Sequence, residues 1–345
     1  MLRSLLLIAA LSPLAGAPED KAAARACNIP VFRYALERWT AGPYEVVAFH
    51  RGPLTEEQIA ALGVLRQSGA NLEVDHLDLA APLSPKRKLL MDRLKVEVPG
   101  LVALYPGTQD EAWRGAFRAD AARELVDSPV RREVARRILE GQSGVWILLE
   151  SGDPRKDDAA AELLGRELSR LERSLTLPPH HPEDPPLLSD LPVKVSFSVL
   201  RLSRADPAEH PLVTMLLGSE QGLVGTVAFP IFGRGRSLWP MAGAGLNAQY
   251  ISEAGVFLTG ACSCEAKEFN PGFDLLFAAD WEGGLSAAPE SQRLPMPVLK
   301  PRPPEPTDSP PKSGSSPALW IALLIAGALV AVSGRRILAA SRHDR

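Results

Sequence analysis

Cysteine is scarce in this chain, three in 345 residues, and no two of them form a C-x-x-C pair. That removes the plainest sign of a dithiol redox centre or half a zinc ribbon. Positive charge is not in excess: Lys+Arg 38 stand against Asp+Glu 41, a formal net charge of -3. Nothing in that balance recommends a nucleic acid as partner. The clustered Arg131-Arg132 and Arg136-Arg137 sit at helical spacing, as on a solvated face. The chain has no Walker A sequence, no G-x-S-x-G, no H-E-x-x-H and no dinucleotide fingerprint. Phosphate-loop, serine-hydrolase, zincin and Rossmann chemistry therefore find no support, and no cofactor is implied. Apolar residues are not lacking: 46% hydrophobic composition suffices for real cores and excludes a disordered chain.

Two stretches speak to address. Residues 1–17 carry an early Arg3, an apolar run over 5–11 and a small Ala15-Gly16-Ala17 exit, the pattern of a secretory signal within a region spanning 1–26. Pro18 disfavours cleavage directly after Ala17, which moves the cut toward 22–26; a lipoprotein reading at Cys27 is opposed by Arg25. Residues 318–334, ALWIALLIAGALVAVSG, are apolar throughout. At ~1.5 Å per residue they cover ~25 Å, which with flanking residues crosses a bilayer. Arg335, Arg336 and Arg342 follow, and positive residues stay inside. The expectation is a single-pass cell-membrane protein with a cytoplasmic tail at 335–345 and everything from the signal cleavage site to Pro317 outside. Between 286 and 317, ten of 32 residues are proline, so this segment reads as an extended linker of up to ~100 Å at ~3.1 Å per residue.

The exported part contains a repeat. Ile29-Pro30-Val31 is answered 99 positions later by Ser128-Pro129-Val130. After each Pro-Val comes a helical run, then a Gly-containing turn, then a buried-looking strand: YEVVAFH at 44–50 and VWILLES at 145–151. The first copy reads as helix 31–39, strand 44–50, helix 55–67, strand 72–79, helix 86–95, strands 101–105 and 112–117, and helix 120–126. The β-α-β parts call for parallel strands and the pair around 105–117 for an antiparallel hairpin, hence an α/β fold with a mixed sheet. The second copy predicts a helix over 155–175, a proline-rich insertion near 178–192, a strand at 193–202, a hairpin at 231–239, a helix at 247–260 and an extra strand at 274–281. Trp113 and Trp239 each stand six residues after a glycine and are expected at equivalent hairpin positions.

Without its leading helix the order is βαβαββα, and Val98-Pro99 stands just before the strand LVALY. This resembles the thioredoxin fold, whose members place a proline, normally cis, before that strand. The resemblance implies two tandem thioredoxin-like domains, 27–127 and 128–285, with helices on both faces of each mixed sheet. It implies little redox activity, because the family's C-x-x-C position falls on His50-Arg51-Gly52-Pro53-Leu54, which holds no cysteine. The stretches CNIPVFRYALERW, GVWILLESGD and FGRGR, with C-S-C before an Asn-Pro-Gly turn, are similar to those of an uncharacterised family of bacterial exported, membrane-anchored proteins; no activity comes with that likeness.

The remaining chemistry is sparse. Outside the cytoplasm thiols pair, and three leave one over. Three readings stay open: Cys27 bonded to one of Cys262 and Cys264, or simply buried thiols; a catalytic C-x-C dithiol at Cys262 and Cys264, for thiol-disulfide exchange; and a soft-metal (copper) site on Cys27, Cys262 and Cys264. His180-His181 lie in a proline loop, and His50 ends a strand with no neighbouring nucleophile. Gly233-Arg234-Gly235-Arg236 reads as a hairpin turn or as an anion cradle. Asp153, Asp157 and Asp158 suit a helix start. The expected function is a membrane-tethered, non-catalytic module that binds another membrane or exported protein.

Overall fold

A Thr-x-x-Gln box opens one of the longer helices of the first half. Thr55 Oγ1 accepts from the Gln58 backbone N–H at 3.3 Å while the Gln58 side chain accepts from Thr55 N–H at 3.0 Å, so the first-turn donors are satisfied reciprocally. Ser84 and Ser128 cap two further helices, each followed by proline at the first helical position. The computed structural model describes residues 28–218, 220–262 and 271–286. The signal region, Cys27, Cys264, linker residues 287–317, the apolar stretch 318–334 and the tail lie outside the described residues. Among the described residues no helix is long and apolar enough to cross a membrane.

The first half runs α1 (Val31–Arg38), β1 (Tyr44–His50), α2 (Glu56–Gln67), β2 (Leu72–Asp78), α3 (Pro85–Leu94), β3 (Gly100–Leu104), β4 (Glu111–Ala116) and α4 (Ala119–Val126). Its sheet has the order β2-β1-β3-β4, with β1 parallel to β2 and antiparallel to β3, and β3 antiparallel to β4. Val98-Pro99, directly ahead of β3, is cis.

The second half runs α5 (Pro129–Leu139), β5 (Gly144–Leu149), α6 (Pro154–Ser174), β6 (Phe197–Leu202), α7 (His210–Leu217), β7 (Val227–Phe232), β8 (Arg236–Ser237), β9 (Met241–Ala242), α8 (Ala248–Thr259), β10 (Phe273–Asp274) and α9 (Trp281–Gly284). Its sheet has the order β10-β8-β7-β5-β6, β9 also pairing with β7; β5 and β6 are parallel and the other pairs antiparallel. The chain is thus α/β with two mixed sheets, and β1 and β5 each lie inside a different one.

The pairing registers superpose the halves: Glu45 faces Leu104 as Val145 faces Ile231, and Phe49 faces Gly100 as Leu149 faces Val227. The offset is 100 for the first strand and 127 for the third. Thr226 therefore occupies the position of the cis Pro99.

Three apolar layers hold the molecule together. The central one joins Val46, Ala48, Ala61, Leu65 and Leu125 of the first half to Val134, Ile147, Leu216 and Phe229 of the second. The face of the first sheet that carries α2 and α4 meets the face of the second that carries α5 and α7. A smaller layer under α3 holds Val47, Phe49 and Leu90, and an outer one holds Trp146, Leu164 and Leu258. Helix α1 crosses to that outer layer, where Val31 and Ala35 pack beside α8.

Several expectations are corrected. Residues 274–281 are not a strand: β10 ends at Asp274, and Leu275, Leu276 and Phe277 are buried without continuing the sheet. A short turn at Pro207–Glu209 leads into α7, HPLVTMLL, an apolar helix with almost no polar face that the sequence reading leaves without an element. Trp113 and Trp239 are not equivalent. The first hairpin has a six-residue loop and buries Trp113 at 5% exposure; the second turns in three residues and leaves Trp239 at 37%, past β8. That turn needs Gly233 and Gly235, whose φ of 56° and 88° favour glycine.

The insertion near 178–192 clamps α1. Asn28 N–H donates to Asp184 Oδ1 at 3.0 Å. Arg33, paired with Glu37 at 2.7 Å and almost wholly buried, donates to the Ser189 carbonyl at 2.6 Å. Burial pulls the Arg33 guanidinium below its usual range, against the opposing pull of Glu37. Ser189 Oγ donates to Glu37 Oε1 at 3.2 Å, while Glu37 Oε2 is buried without a hydrogen-bond partner.

Candidate functional site

The carboxyl ends of the two parallel strand pairs are the first place to look, since ligands of α/β sheets bind outside such ends. In the first half His50 closes β1 and is buried, 4% exposed. Its Nδ1 lies 2.8 Å from the Gly52 carbonyl and its Nε2 lies 3.2 Å from Nδ1 of His76 on β2. Asp78 Oδ1 accepts from Gly52 N–H at 2.8 Å and from Ala80 N–H at 2.9 Å. These two backbone donors, with a smaller contribution from His50, hold the Asp78 carboxyl below the usual range. Arg51 is exposed. The loop is shaped by its own hydrogen bonds, and no thiol or hydroxyl nucleophile stands at its centre.

The matching end of the second half, Glu150-Ser151-Gly152-Asp153, is also closed on itself. Asp157, in the first turn of α6, accepts from Ser151 N–H at 2.8 Å, Ser151 Oγ at 2.9 Å, Gly152 N–H at 3.0 Å and Thr226 Oγ1 at 2.6 Å. Burial alone pushes this carboxyl up, but the donors together outweigh it and hold the group below its usual range. The helix-start reading of Asp157 is what the structure shows, with the added bond to the third strand.

The open site lies where the halves meet. A cleft of about 770 Å³ is bounded on one side by the hairpin loop from Tyr105 to Glu111 and on the other by Met215, Leu216 and Leu217 of α7 and by Phe273 and Asp274 of β10. Tyr105 Oη donates to the Met215 carbonyl at 2.8 Å, and burial raises its phenol to about 12, so it stays a neutral donor. Arg236 and Asp274 pair at 2.8 Å, and Asp274 Oδ2 accepts from Gly42 N–H at 3.0 Å. Tyr44 Oη donates to the Asp274 carbonyl at 2.9 Å; its phenol is raised first by burial. These bonds fix the floor between the two sheets. The rim is acidic: the Asp110 side chain is 79% exposed, 3.9 Å from Arg93. The cleft can hold an apolar segment and present a carboxylate to a basic group beside it.

The sequence-derived candidates fall elsewhere. Cys262 is fully buried in the outer layer, its N–H donating to the Ile29 carbonyl at 2.9 Å; Cys27 and Cys264 lie outside the described residues. Gly233-Arg234-Gly235-Arg236 is a hairpin turn whose guanidiniums are engaged, Arg234 with the Leu36 carbonyl and Glu282, and Arg236 with Asp274 and the Pro271 and Gly272 carbonyls. His180 and His181 are exposed on the insertion. Among the described residues no group of three His, Cys, Asp or Glu side chains could hold a metal ion. The cleft residues were missed because α7 carries no amphipathic period and the carbonyls that orient Tyr44 and Tyr105 leave no trace in the sequence. Comparison with models of known protein families gives no match, and neither does comparison with curated proteins.

Proposed function

We propose that the chain is a membrane-tethered pair of thioredoxin-like units, held outside the cytoplasm, that acts as a non-catalytic binding module for another exported or membrane protein. The strand order with one parallel and two antiparallel pairs, the helix on each face and the cis proline ahead of β3 support the thioredoxin-like reading. The tether and its orientation rest on the apolar stretch 318–334 and the arginines after it. One observation carries the choice of binding over catalysis. Both strand ends at which a thioredoxin-like dithiol would sit hold no thiol and close on their own loops, while the cleft between the halves is open and walled by Met215, Leu216, Leu217 and Phe273. Its occupant in this reading is an extended partner segment with apolar side chains against Leu217 and Phe273 and a basic one toward Asp110. The alternative, thiol-disulfide exchange or copper handling through Cys262 and Cys264, is disfavoured by the complete burial of Cys262.

The test is photocrosslinking of the full chain in its own membrane, with a benzophenone amino acid at Thr108. The expected result is a discrete adduct with another protein that disappears on Leu217→Asp, together with no turnover of a disulfide substrate by the purified chain. Turnover that is lost on Cys262→Ser, or adducts indifferent to the cleft substitution, overturns the proposal.

A further inference from the structure

His50 and His76 are brought together by sheet register. In the parallel pair β1–β2, His50 stands opposite Asp78 and His76 opposite Ala48. Partners in a parallel pair share a face, so both imidazoles project on the side of α2, one diagonal step apart. Their rings are 5.5 Å apart between centroids and inclined by 30°, with His50 Nε2 and His76 Nδ1 separated by 3.2 Å. A carbonyl only accepts, so the 2.8 Å contact of His50 Nδ1 with the Gly52 oxygen requires the proton on Nδ1. The neutral His50 ring therefore keeps its Nε2 lone pair directed at His76.

We infer that His50 Nε2 and His76 Nδ1 form a two-nitrogen chelate for a divalent transition ion, Cu²⁺ held above Zn²⁺. Two metal–nitrogen bonds of roughly 2.0–2.1 Å at a tetrahedral angle set the donor atoms about 3.3 Å apart, and the observed separation is 3.2 Å. A ligating histidine characteristically donates its other N–H to a backbone carbonyl, which fixes ring and tautomer. Gly52 supplies that carbonyl, and its own N–H is anchored on Asp78. The ion replaces the proton between the rings, and His76, an exposed residue, moves that proton to its Nε2. The Asp78 carboxyl, which accepts from the Ala80 and Gly52 amides, lies on the same loop. Since no third side chain completes a ligand set among the described residues, water fills the remaining positions. The site is then weaker than a closed four-ligand zinc centre and open to exchange. Imidazole suits both ions, and the order of intrinsic affinity places copper first.

The experiment is equilibrium dialysis of the full chain against CuSO₄ and, separately, ZnCl₂. His76→Ala is the decisive variant, because His76 is exposed and its loss leaves the buried His50 and its loop intact. The expected result is one metal equivalent lost in His76→Ala, none lost in the His180→Ala/His181→Ala double variant, and imidazole nitrogen hyperfine coupling in the Cu²⁺ electron paramagnetic resonance spectrum that diminishes only in the former. His50→Gln, which keeps a polar group for the Gly52 carbonyl, should lose the same equivalent. An unchanged stoichiometry in His76→Ala, or loss that tracks His180 and His181 instead, overturns the assignment.

Discussion

Arg131 ties three elements together from a fully buried position, and its replacement by methionine tests how far the halves depend on each other. Its guanidinium donates to the carbonyls of Leu125 at 2.6 Å and Glu124 at 2.7 Å, the last turn of α4, and to Ser128 Oγ at 3.1 Å and the Leu276 carbonyl at 3.3 Å. Burial lowers the guanidinium to about 10, with Glu209 pulling the other way, so it remains charged at neutral pH. Methionine preserves most of the aliphatic volume and makes the cavity contribution small. The two short charge-assisted bonds are each worth ~1.5–3 kcal/mol, and their acceptors would be left at a buried helix end. No longer burying a cation offsets part of that loss. The net expected destabilisation of Arg131→Met is about 3–4 kcal/mol. Arg131→Lys should fall between the two, since an ammonium cannot reach four acceptors in a planar fork. Urea unfolding of the full chain by circular dichroism measures both through the midpoint at constant slope. A loss below about 1 kcal/mol for Arg131→Met, or a lysine variant as stable as the parent, would refute the view that this fork joins α4, α5 and residues 271–286.

One further outcome can be checked on the same material. Asp157 has a folded pKa below its unfolded value of 3.8; its stabilisation is complete above that value and is lost as pH falls through the folded one. The unfolding midpoint of the parent should drop in that acid window, whereas Asp157→Asn should be less stable at neutral pH and lose less on acidification; parallel profiles would remove the carboxylate from the account.

Much of the fold could be read from the chain because its elements carry local signals. Each of the first eight elements was placed within a residue or two, since strands such as YEVVAFH are buried on both faces and helices are opened by Thr55, Ser84 and Ser128. Where reading failed, the winning influence was tertiary. The stretch LLFAADW has strand-like composition, yet Leu275 to Phe277 are buried by packing while Asn71 takes up their polar groups, its Oδ1 accepting from Phe277 N–H at 2.9 Å and its Nδ2 donating to the Leu275 carbonyl at 3.2 Å. HPLVTMLL has no polar stripe because nearly every side of it meets the central layer or the first sheet. No single-sequence period distinguishes such a helix from a buried strand.

The site was less legible for a reason that the repeat itself supplies. Equivalent positions do not share an environment: Val46 and Trp146 superpose, but Val46 faces the central layer and Trp146 the outer one. The halves therefore stack by opposite faces, and each edge of the junction has a different chemistry. On the first half the junction presents a six-residue hairpin loop with Tyr105. On the second it presents α7 and β10, which have no apolar or polar period to announce them. The proline position shows the same divergence. At residue 99 it is a cis proline; at 226 it is a threonine whose hydroxyl binds Asp157. The two halves share a backbone plan, because strand register depends on which faces are buried. Side-chain chemistry at the strand ends is under no such constraint, so one end holds a histidine pair and the other a carboxylate closed on its own loop.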